Sequence, residues 1–341
     1  MQTKIVQPTK EGIQQAAQLL KQGELVGMPT ETVYGLAASA YDPAAIKKIF
    51  QAKGRPQDNP LIVHISNLEM LQPLVTAVPE PAKKLAEQFW PGPLTMIFPK
   101  SEKVPMEVTA GMETVAIRFP SHPVAQAIIR ESSLPLAAPS ANLSGKPSPT
   151  TAQHVWEDMD GKIPLIVDGG ECQVGVESTV VLVKEDCLHL LRPGAVTPEM
   201  LKTCCDQVEI DPAVLHQLKE GAQAASPGMK YKHYSPKADV TILSGNLAQF
   251  KEYVNSHWDS ATYALVFDGE QQGIACPCLT YGADAAEQAK ELFAVLRRLD
   301  GLGAKKVYAR CPEKQGMGLA VYNRLIRAAG FQVIPLEDAR M

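Results

Sequence analysis

The sequence predicts an α/β protein of two domains: a first built on a large twisted, mixed sheet, and a second, smaller Rossmann-like domain with an open sheet. Three observations lead there. A chain of 341 residues is longer than one hydrophobic core usually serves. Up to about residue 210, apolar runs of strand length alternate unevenly with helical patterns and end in a hairpin signal. From residue 238 the alternation of strand and helix becomes regular, as repeated βα units require. The expected division is 1–211, a segment 212–237, and 238–341.

The elements follow in order. "EGIQQAAQLLKQG" places Ile13, Ala16, Ala17 and Leu20 on one helical face, with Gly23 as the stop. "ELVGM" is a short strand. Asp42 and Pro43 suit an N-cap and first helical position, and Gly54 a C-cap. "LIVHI" is a strand, and 80–89 a helix followed by "PGPLTMIF". "TVAIRF" and "PLAAPS" are buried strands. "IPLIVDGG" adds another, and "STVVLVKEDCLHLLR" folds as a hairpin about Lys184, Glu185 and Asp186. In the second domain "DVTIL", "TYALVF", "KKVYAR" and "FQVI" are strands. "NLAQFKEYVNSHW", "AAEQAKELFAVLRRLD" and "GLAVYNRLIRAAG" are helices.

The bulk numbers exclude several classes. Hydrophobic residues make up 45% and charged residues 21%, the balance of a globular protein. A net charge of −4 does not announce a nucleic-acid or membrane binder. The seven cysteines lack the spacing of a disulfide framework or a CxxC zinc site. Cys276-Pro277-Cys278 is the one pair that could hold a metal, against core packing as the ordinary role. No apolar run reaches a membrane span, and "MQTKIVQPTK" lacks a signal-peptide core. The expected location is cytoplasmic.

A Walker A loop is absent, and "GLGAKK" and "GMGLAV" read as turns rather than dinucleotide fingerprints. The first domain supplies other parts. "GMPTETVYGLAAS" (27–39) sets hydroxyls and one carboxylate among small residues that let a ligand approach. "KGRPQDNPL" places Lys53 and Arg55 around Gly54, with Asn59 beyond. They are either two solvated charges or two cations aimed at one anion. "APSANLSGKPSPT" carries Ser140, Asn142, Ser144 and Ser148 after an apolar strand. It is either a self-capping polar loop or a phosphate and ribose site. Arg118 closes a buried strand and needs a partner, either a structural carboxylate or a ligand's. Ser178 precedes another strand, Arg192 follows one, and His64 ends "LIVHI". A lone histidine there is more often a satisfied core residue. Cations and hydroxyls thus gather at strand ends with no Ser-His-Asp, Cys-His or paired-carboxylate set. That pattern suits chemistry by positioning and electrostatics, with the nucleophile supplied by the substrate.

Taken together, "PTETVYGLAAS", "KGRPQDNPLIVHI", "WPGPLT", "VAIRFPSHP", "APSANLSGKPSPT", "GVESTVV" and "LRPGAV" resemble the YrdC-like threonylcarbamoyl-AMP synthase family. "GMKYKHYSP" followed by a small α/β domain resembles its long, two-domain form. The resemblance implies a nucleotidyltransferase. It would make L-threonylcarbamoyl-AMP and pyrophosphate from L-threonine, bicarbonate or CO2, and ATP with Mg2+. The product would pass to a transferase that modifies adenosine 37 of tRNA. The resemblance puts Thr32, His64, Arg118, Ala138 and Ser178 on the threonine side. Lys53, Arg55, Asn59, Thr114, Ser140, Asn142, Ser148, Arg192 and Tyr234 fall on the ATP side, with Lys53 and Arg55 catalytic. It makes Tyr231, His233 and Tyr234 part of a lid in 212–237. Two other readings compete. An RNA-binding factor would need a basic surface, and a carbamoyl-transfer module would use carbamoyl phosphate instead of threonine.

Overall fold

The computed structural model describes residues 2–217 and 234–336. They fall into two compact units. The first holds 2–144 and 148–214. The second holds 234–336 with the short stretches Gly145–Pro147 and Leu215–Gln217.

In the first unit the strands are β1 (Lys4–Val6), β2 (Val26–Met28), β3 (Gly35–Ser39), β4 (Ile62–His64), β5 (Leu94–Pro99), β6 (Thr114–Arg118), β7 (Leu136–Ala137), β8 (Leu165–Val167), β9 (Thr179–Val183), β10 (Leu188–Arg192) and β11 (Val208–Ile210). The helices are α1 (Lys10–Lys21), α2 (Pro43–Lys53), α3 (Glu80–Phe89), α4 (Met106–Thr109), α5 (Pro123–Ser132), α6 (Ala152–Met159) and α7 (Pro198–Leu201). The sheet order is β1-β8-β2-β3-β7-β4-β6-β5-β9-β10-β11, with parallel and antiparallel pairs mixed as expected.

Local chemistry explains the elements that carry the site. The Asp42 side chain accepts from the Ala44 N–H at 2.9 Å, Pro43 opens α2, and Gly54 closes it in the left-handed region at φ 61°. Lys53 is thereby the last residue of the helix and Arg55 the first beyond the turn. In "PLAAPS" the regular strand is Leu136–Ala137, since Pro135 and Pro139 have no N–H to give a ladder, while Ala138 and Ser140 keep single contacts with the neighbouring strands. Helices α5 and α6 and strand β3 carried no signal that the sequence analysis used. The Lys184–Asp186 hairpin forms as expected between β9 and β10.

The sheet is packed unequally. One core gathers Ile46, Ile49, Phe50, Val63, Leu85, Met96, Phe98 and Ile117. A second joins α1 and α5 to Val26, Met28, Ala37, Leu136 and Val167. A small third cluster of Ile62, Ile97, Ala116, Val180, Leu191 and Ala213 stands apart. Its strand residues share the alternation of His64, Arg118 and Thr95, so this apolar patch borders those polar side chains.

The second unit is an all-parallel sheet of β12 (Asp239–Ser244), β13 (Thr262–Val266), β14 (Cys278–Thr280), β15 (Lys306–Arg310) and β16 (Val333–Pro335). Its order is β14-β13-β15-β12-β16. Helices α8 (Leu247–His257), α9 (Ala285–Gly301) and α10 (Gly316–Ala328) connect the strands. "GMGLAV" is not a turn: Gly316 and Gly318 lie in the first turn of α10. Gly318 is needed there, since a Cβ would come within 2.6 Å of the Glu313 carbonyl oxygen. The Cys276 thiol is pushed up to about 11 by burial. Among the described residues no group of three or more His, Cys, Asp or Glu could hold a metal.

Gly194 sits where β10 leads back over the start of β9. A Cβ there would meet the Thr179 nitrogen at 2.5 Å and the Glu177 oxygen at 2.8 Å. Both are backbone atoms, so the strain cannot be relieved by a rotamer change. Gly194→Ala is expected to cost about 1–3 kcal/mol of stability, read as a lower urea midpoint with an unchanged slope.

Candidate active site

One row of residues crosses the first unit's sheet. Leu136 on β7 is in register with His64 on β4. His64 is in register with Arg118 on β6, and Arg118 with Thr95 on β5. Thr95 is in register with Val180 on β9, and Val180 with Arg192 on β10 after a register break at Leu190/Arg192. Register partners share a face. The row therefore projects an imidazole, two guanidinium groups and a hydroxyl on one side. Ser178, one residue before β9, completes it. Its hydroxyl lies 2.8 Å from Thr95 Oγ1 and accepts from Arg192 Nη2 at 3.1 Å. Arg192 Nε donates to the Ser178 carbonyl at 3.0 Å.

The segment before β3 closes over this row. Thr30 Oγ1 and Thr32 Oγ1 are 2.9 Å apart, and Thr32 Oγ1 accepts from Arg118 Nη1 at 2.9 Å. Glu31 Oε1 lies 2.8 Å from Arg118 Nη2. The loop is held from behind: Val174 N–H donates to the Glu31 carbonyl at 2.8 Å, and Gly175 N–H to that of Thr32 at 3.1 Å. Arg118 is 4% exposed, and its Nε and Nη2 have no hydrogen-bond partner among the described residues. Those two atoms form the guanidinium edge that grips a carboxylate bidentately.

Lys53 fastens the other side. Its ammonium is buried and donates to the carbonyl oxygens of Ser140 and Asn142 and to Asn142 Oδ1. The loop after β7 is thus cinched to the end of α2, with Ser144 N–H returning a bond to the Lys53 carbonyl at 2.9 Å. Ser140 Oγ donates to Asn142 Oδ1 at 2.6 Å. Ser148, fully buried, donates to Glu177 Oε1 at 2.5 Å. Arg55 Nη2 reaches the Asn59 carbonyl at 3.4 Å. The Asn59 side chain is itself 0% exposed, and neither amide atom has a hydrogen-bond partner among the described residues. A buried amide without partners costs on the order of 1–3 kcal/mol, so a ligand is the natural complement. Thr114 opens β6 on the same face as Ala116 and Arg118.

Electrostatics keep the centre nearly neutral. Burial alone would raise the Glu31 carboxyl, but the Arg118 guanidinium outweighs it and holds Glu31 below the usual range. Burial, helped by Arg118, pushes His64 down to about 3. Its Nδ1 lies 3.2 Å from the Ile62 carbonyl, and the Leu136 backbone also bonds to the ring. Burial also lowers His122 and raises the Cys172 thiol.

The structure brings together Thr32, His64, Arg118, Thr95, Ser178 and Arg192 as one bonded or in-register set. Lys53, Ser140 and Asn142 form a second. Ala138 joins β4, its N–H donating to the Ile62 carbonyl at 3.0 Å. Tyr234 lies in the second unit with its ring centroid 5.0 Å from that of Phe293. Tyr231 and His233 lie outside the described residues. Sequence reasoning missed Thr95 and the Glu31–Arg118 pair. Thr95 had a signal, being the polar residue inside the apolar run "LTMIF".

Known proteins match the chain over nearly its whole length. The family profile described as "Telomere recombination" matches residues 18–194. That described as "Threonylcarbamoyl-AMP synthase, C-terminal domain" matches 196–330. The threonylcarbamoyl-AMP synthases of Pyrococcus abyssi (strain GE5 / Orsay) and Bacillus subtilis (strain 168) are each 45% identical to this chain, over 94% of both partners. A crystal structure of P. abyssi Sua5 complexed with L-threonine is 42% identical, covers 99% of this chain and 100% of its own, and superposes with a TM-score of 0.91. Fold and relatives define an enzyme of the nucleotidyl-transferring class. The chain belongs to the threonylcarbamoyl-AMP synthase family, in its two-domain form.

His64 gives a pH signature. Its folded-state value of about 3 lies below the unfolded one near 6.5, so the unfolded chain binds the extra proton between them. Stability contributed by this site falls as pH drops below 6.5, by up to about 1.4 kcal/mol per pH unit. Urea midpoints measured from pH 7 to 5 are expected to fall less steeply for His64→Asn than for the unsubstituted protein.

Proposed function

We propose that the first unit makes L-threonylcarbamoyl-AMP with the amino acid at the Arg118 end of the site and the nucleotide at the Lys53–Asn59 end. The observation that carries this is the buried Arg118, whose Nε has no hydrogen-bond partner among the described residues and whose Nη2 has only the ionic contact with Glu31. A threonine carboxylate supplies two acceptors for that edge. Thr32, Ser178 and His64 offer hydrogen bonds to the remaining polar groups, and Ala138 offers its carbonyl.

The chemistry then follows from the substrates. The free amine of threonine adds to CO2, giving a carbamate and a proton, or condenses with bicarbonate, giving a carbamate and water. A carbamate oxygen attacks the α-phosphorus of ATP, and pyrophosphate leaves. The protein contributes orientation and charge. Arg55 and Arg192 face the triphosphate and the departing pyrophosphate. Lys53 acts mainly through position, since its donors already hold the Ser140–Asn142 loop. Asn59, Thr114 and Ser148 supply amide and hydroxyl contacts to the nucleotide. The small cluster of Ile62, Ile97 and Ala116 offers an apolar surface to the adenine.

The residues do not build a magnesium cage, because no acidic cluster stands among the described residues. Mg2+ that accompanies ATP is held by phosphate oxygens and water, and it offsets triphosphate charge. The product supplies threonylcarbamoyladenosine synthesis at tRNA position 37, through a separate cytoplasmic transferase that this reading places downstream. No helix among the described residues is long and apolar enough to cross a membrane.

The test is a rapid-quench mass-spectrometric assay with ATP, Mg2+, L-threonine and bicarbonate. Threonylcarbamoyl-AMP and equimolar pyrophosphate are expected, both dependent on threonine. ATP binding without that product sinks the reading. In the same assay Arg55→Ala is expected to raise the KM for ATP by about tenfold or more, with a smaller change for threonine. The reverse pattern would exchange the two ends of the site.

A further inference from the structure

We propose that Glu31 sets the charge preference of the amino-acid subsite, so that the subsite takes a zwitterion in place of a simple hydroxy-acid anion. The inference rests on the reading of Arg118 as the carboxylate receptor and extends it to the substrate's other charge.

Glu31 is 5% exposed, and neither carboxylate oxygen has a hydrogen-bond partner among the described residues. Its one close ionic contact is Oε1 with Arg118 Nη2 at 2.8 Å, outside hydrogen-bonding alignment. Neither oxygen has an aligned hydrogen bond among the described residues, although the backbone N–H groups of Glu31 and Ser121 also help to hold the charge. Purely structural buried carboxylates are saturated with hydrogen bonds, because an ion removed from water is otherwise costly. This one keeps acceptor capacity beside a guanidinium that keeps donor capacity.

The charge count gives the selectivity. The groups around Glu31 are neutral: the His64 and His122 imidazoles are pushed down by burial, and the Cys172 thiol is pushed up. Arg118 and Glu31 are the two charges in direct contact, and as a pair they cancel; the Arg192 guanidinium stands farther along the row, beyond Thr95 and Ser178. A carboxylate without an amine would leave the buried cluster at −1. Threonine brings a carboxylate and an ammonium and leaves it at zero, each charge beside its opposite. Carbamoylation then removes the ammonium charge, so Glu31 favours the substrate over the product.

The test is calorimetric titration, without ATP, of the full chain and of Glu31→Gln and Glu31→Asp. The two ligands are L-threonine and (R)-3-hydroxybutyrate, which is threonine without its amine. The unsubstituted protein is expected to prefer threonine by about 50-fold or more. In Glu31→Gln that ratio is expected to fall by about tenfold, mostly through weaker threonine binding. Glu31→Asp should retain most of it, and ATP affinity should stay within about twofold in all three proteins. A ratio in Glu31→Gln within about twofold of the original, with ATP affinity intact, overturns the proposal. If Glu31→Gln does not fold, the unsubstituted protein decides: equal affinity for both ligands overturns it as well. Threonine bound with an unaltered ratio removes this inference and leaves the function reading. Failure of the unsubstituted protein to bind threonine removes both.

Discussion

A guanidinium buried at the end of a central strand is the constraint around which the first unit is arranged. Removing an ion from water costs several kcal/mol unless partners restore its interactions. Arg118 is 4% exposed, and the protein meets only part of that demand. Thr32 takes one donor and Glu31 supplies the opposite charge. Both come from the segment 29–34, which therefore has to lie against the sheet face. Backbone bonds from Val174 and Gly175 hold it there. Part of the demand is left unmet among the described residues, chiefly at Nε.

The same economy of charge shapes the chemistry. The site holds hydroxyls, amides and cations, and its histidine is kept neutral by burial. Nothing in it resembles an activated nucleophile. The proposed reaction needs none, since in it the amine and then the carbamate of the substrate attack in turn. What such an enzyme must do is orient three reactants and offset phosphate charge. Cross-sheet register does the orienting. His64, Arg118, Thr95 and Arg192 sit on four strands but in one row, so their spacing is fixed by strand separation instead of by loops.

Much of this was legible in the sequence, and the pattern of success is physical. Local signals read well. Asp42-Pro43 and Gly54 bound α2 because capping and left-handed φ depend on neighbours in sequence. The Glu80–Phe89 helix and the Lys184–Asp186 hairpin are of the same kind. Cations and hydroxyls at strand ends were visible as a class. The row itself was not, because it depends on the order β4-β6-β5-β9-β10, which is nonlocal. Lys53 shows the difference most clearly. Its position after an apolar helix suggested a cation aimed at an anion. The structure turns it onto carbonyls of Ser140 and Asn142, 87 and 89 residues away. Glu31 stood in plain view in "PTETVYG", yet nothing local marked it as the partner of a residue 87 positions on. The "GMG" stretch failed for a simpler reason: two glycines suggested a turn, while the helix that follows begins on them.

The central claim is that the open edge of Arg118 receives the threonine carboxylate while the nucleotide lies toward Asn59 and Ser148. A crystal structure of this chain with L-threonine and a non-hydrolysable ATP analogue tests it most directly. The account predicts the carboxylate on Nε and Nη2 of Arg118, the ammonium toward Glu31, and the α-phosphate between the amino acid and the Ser140–Ser148 loop. A carboxylate bound away from Arg118, with that guanidinium still engaged only by Thr32 and Glu31, would contradict it.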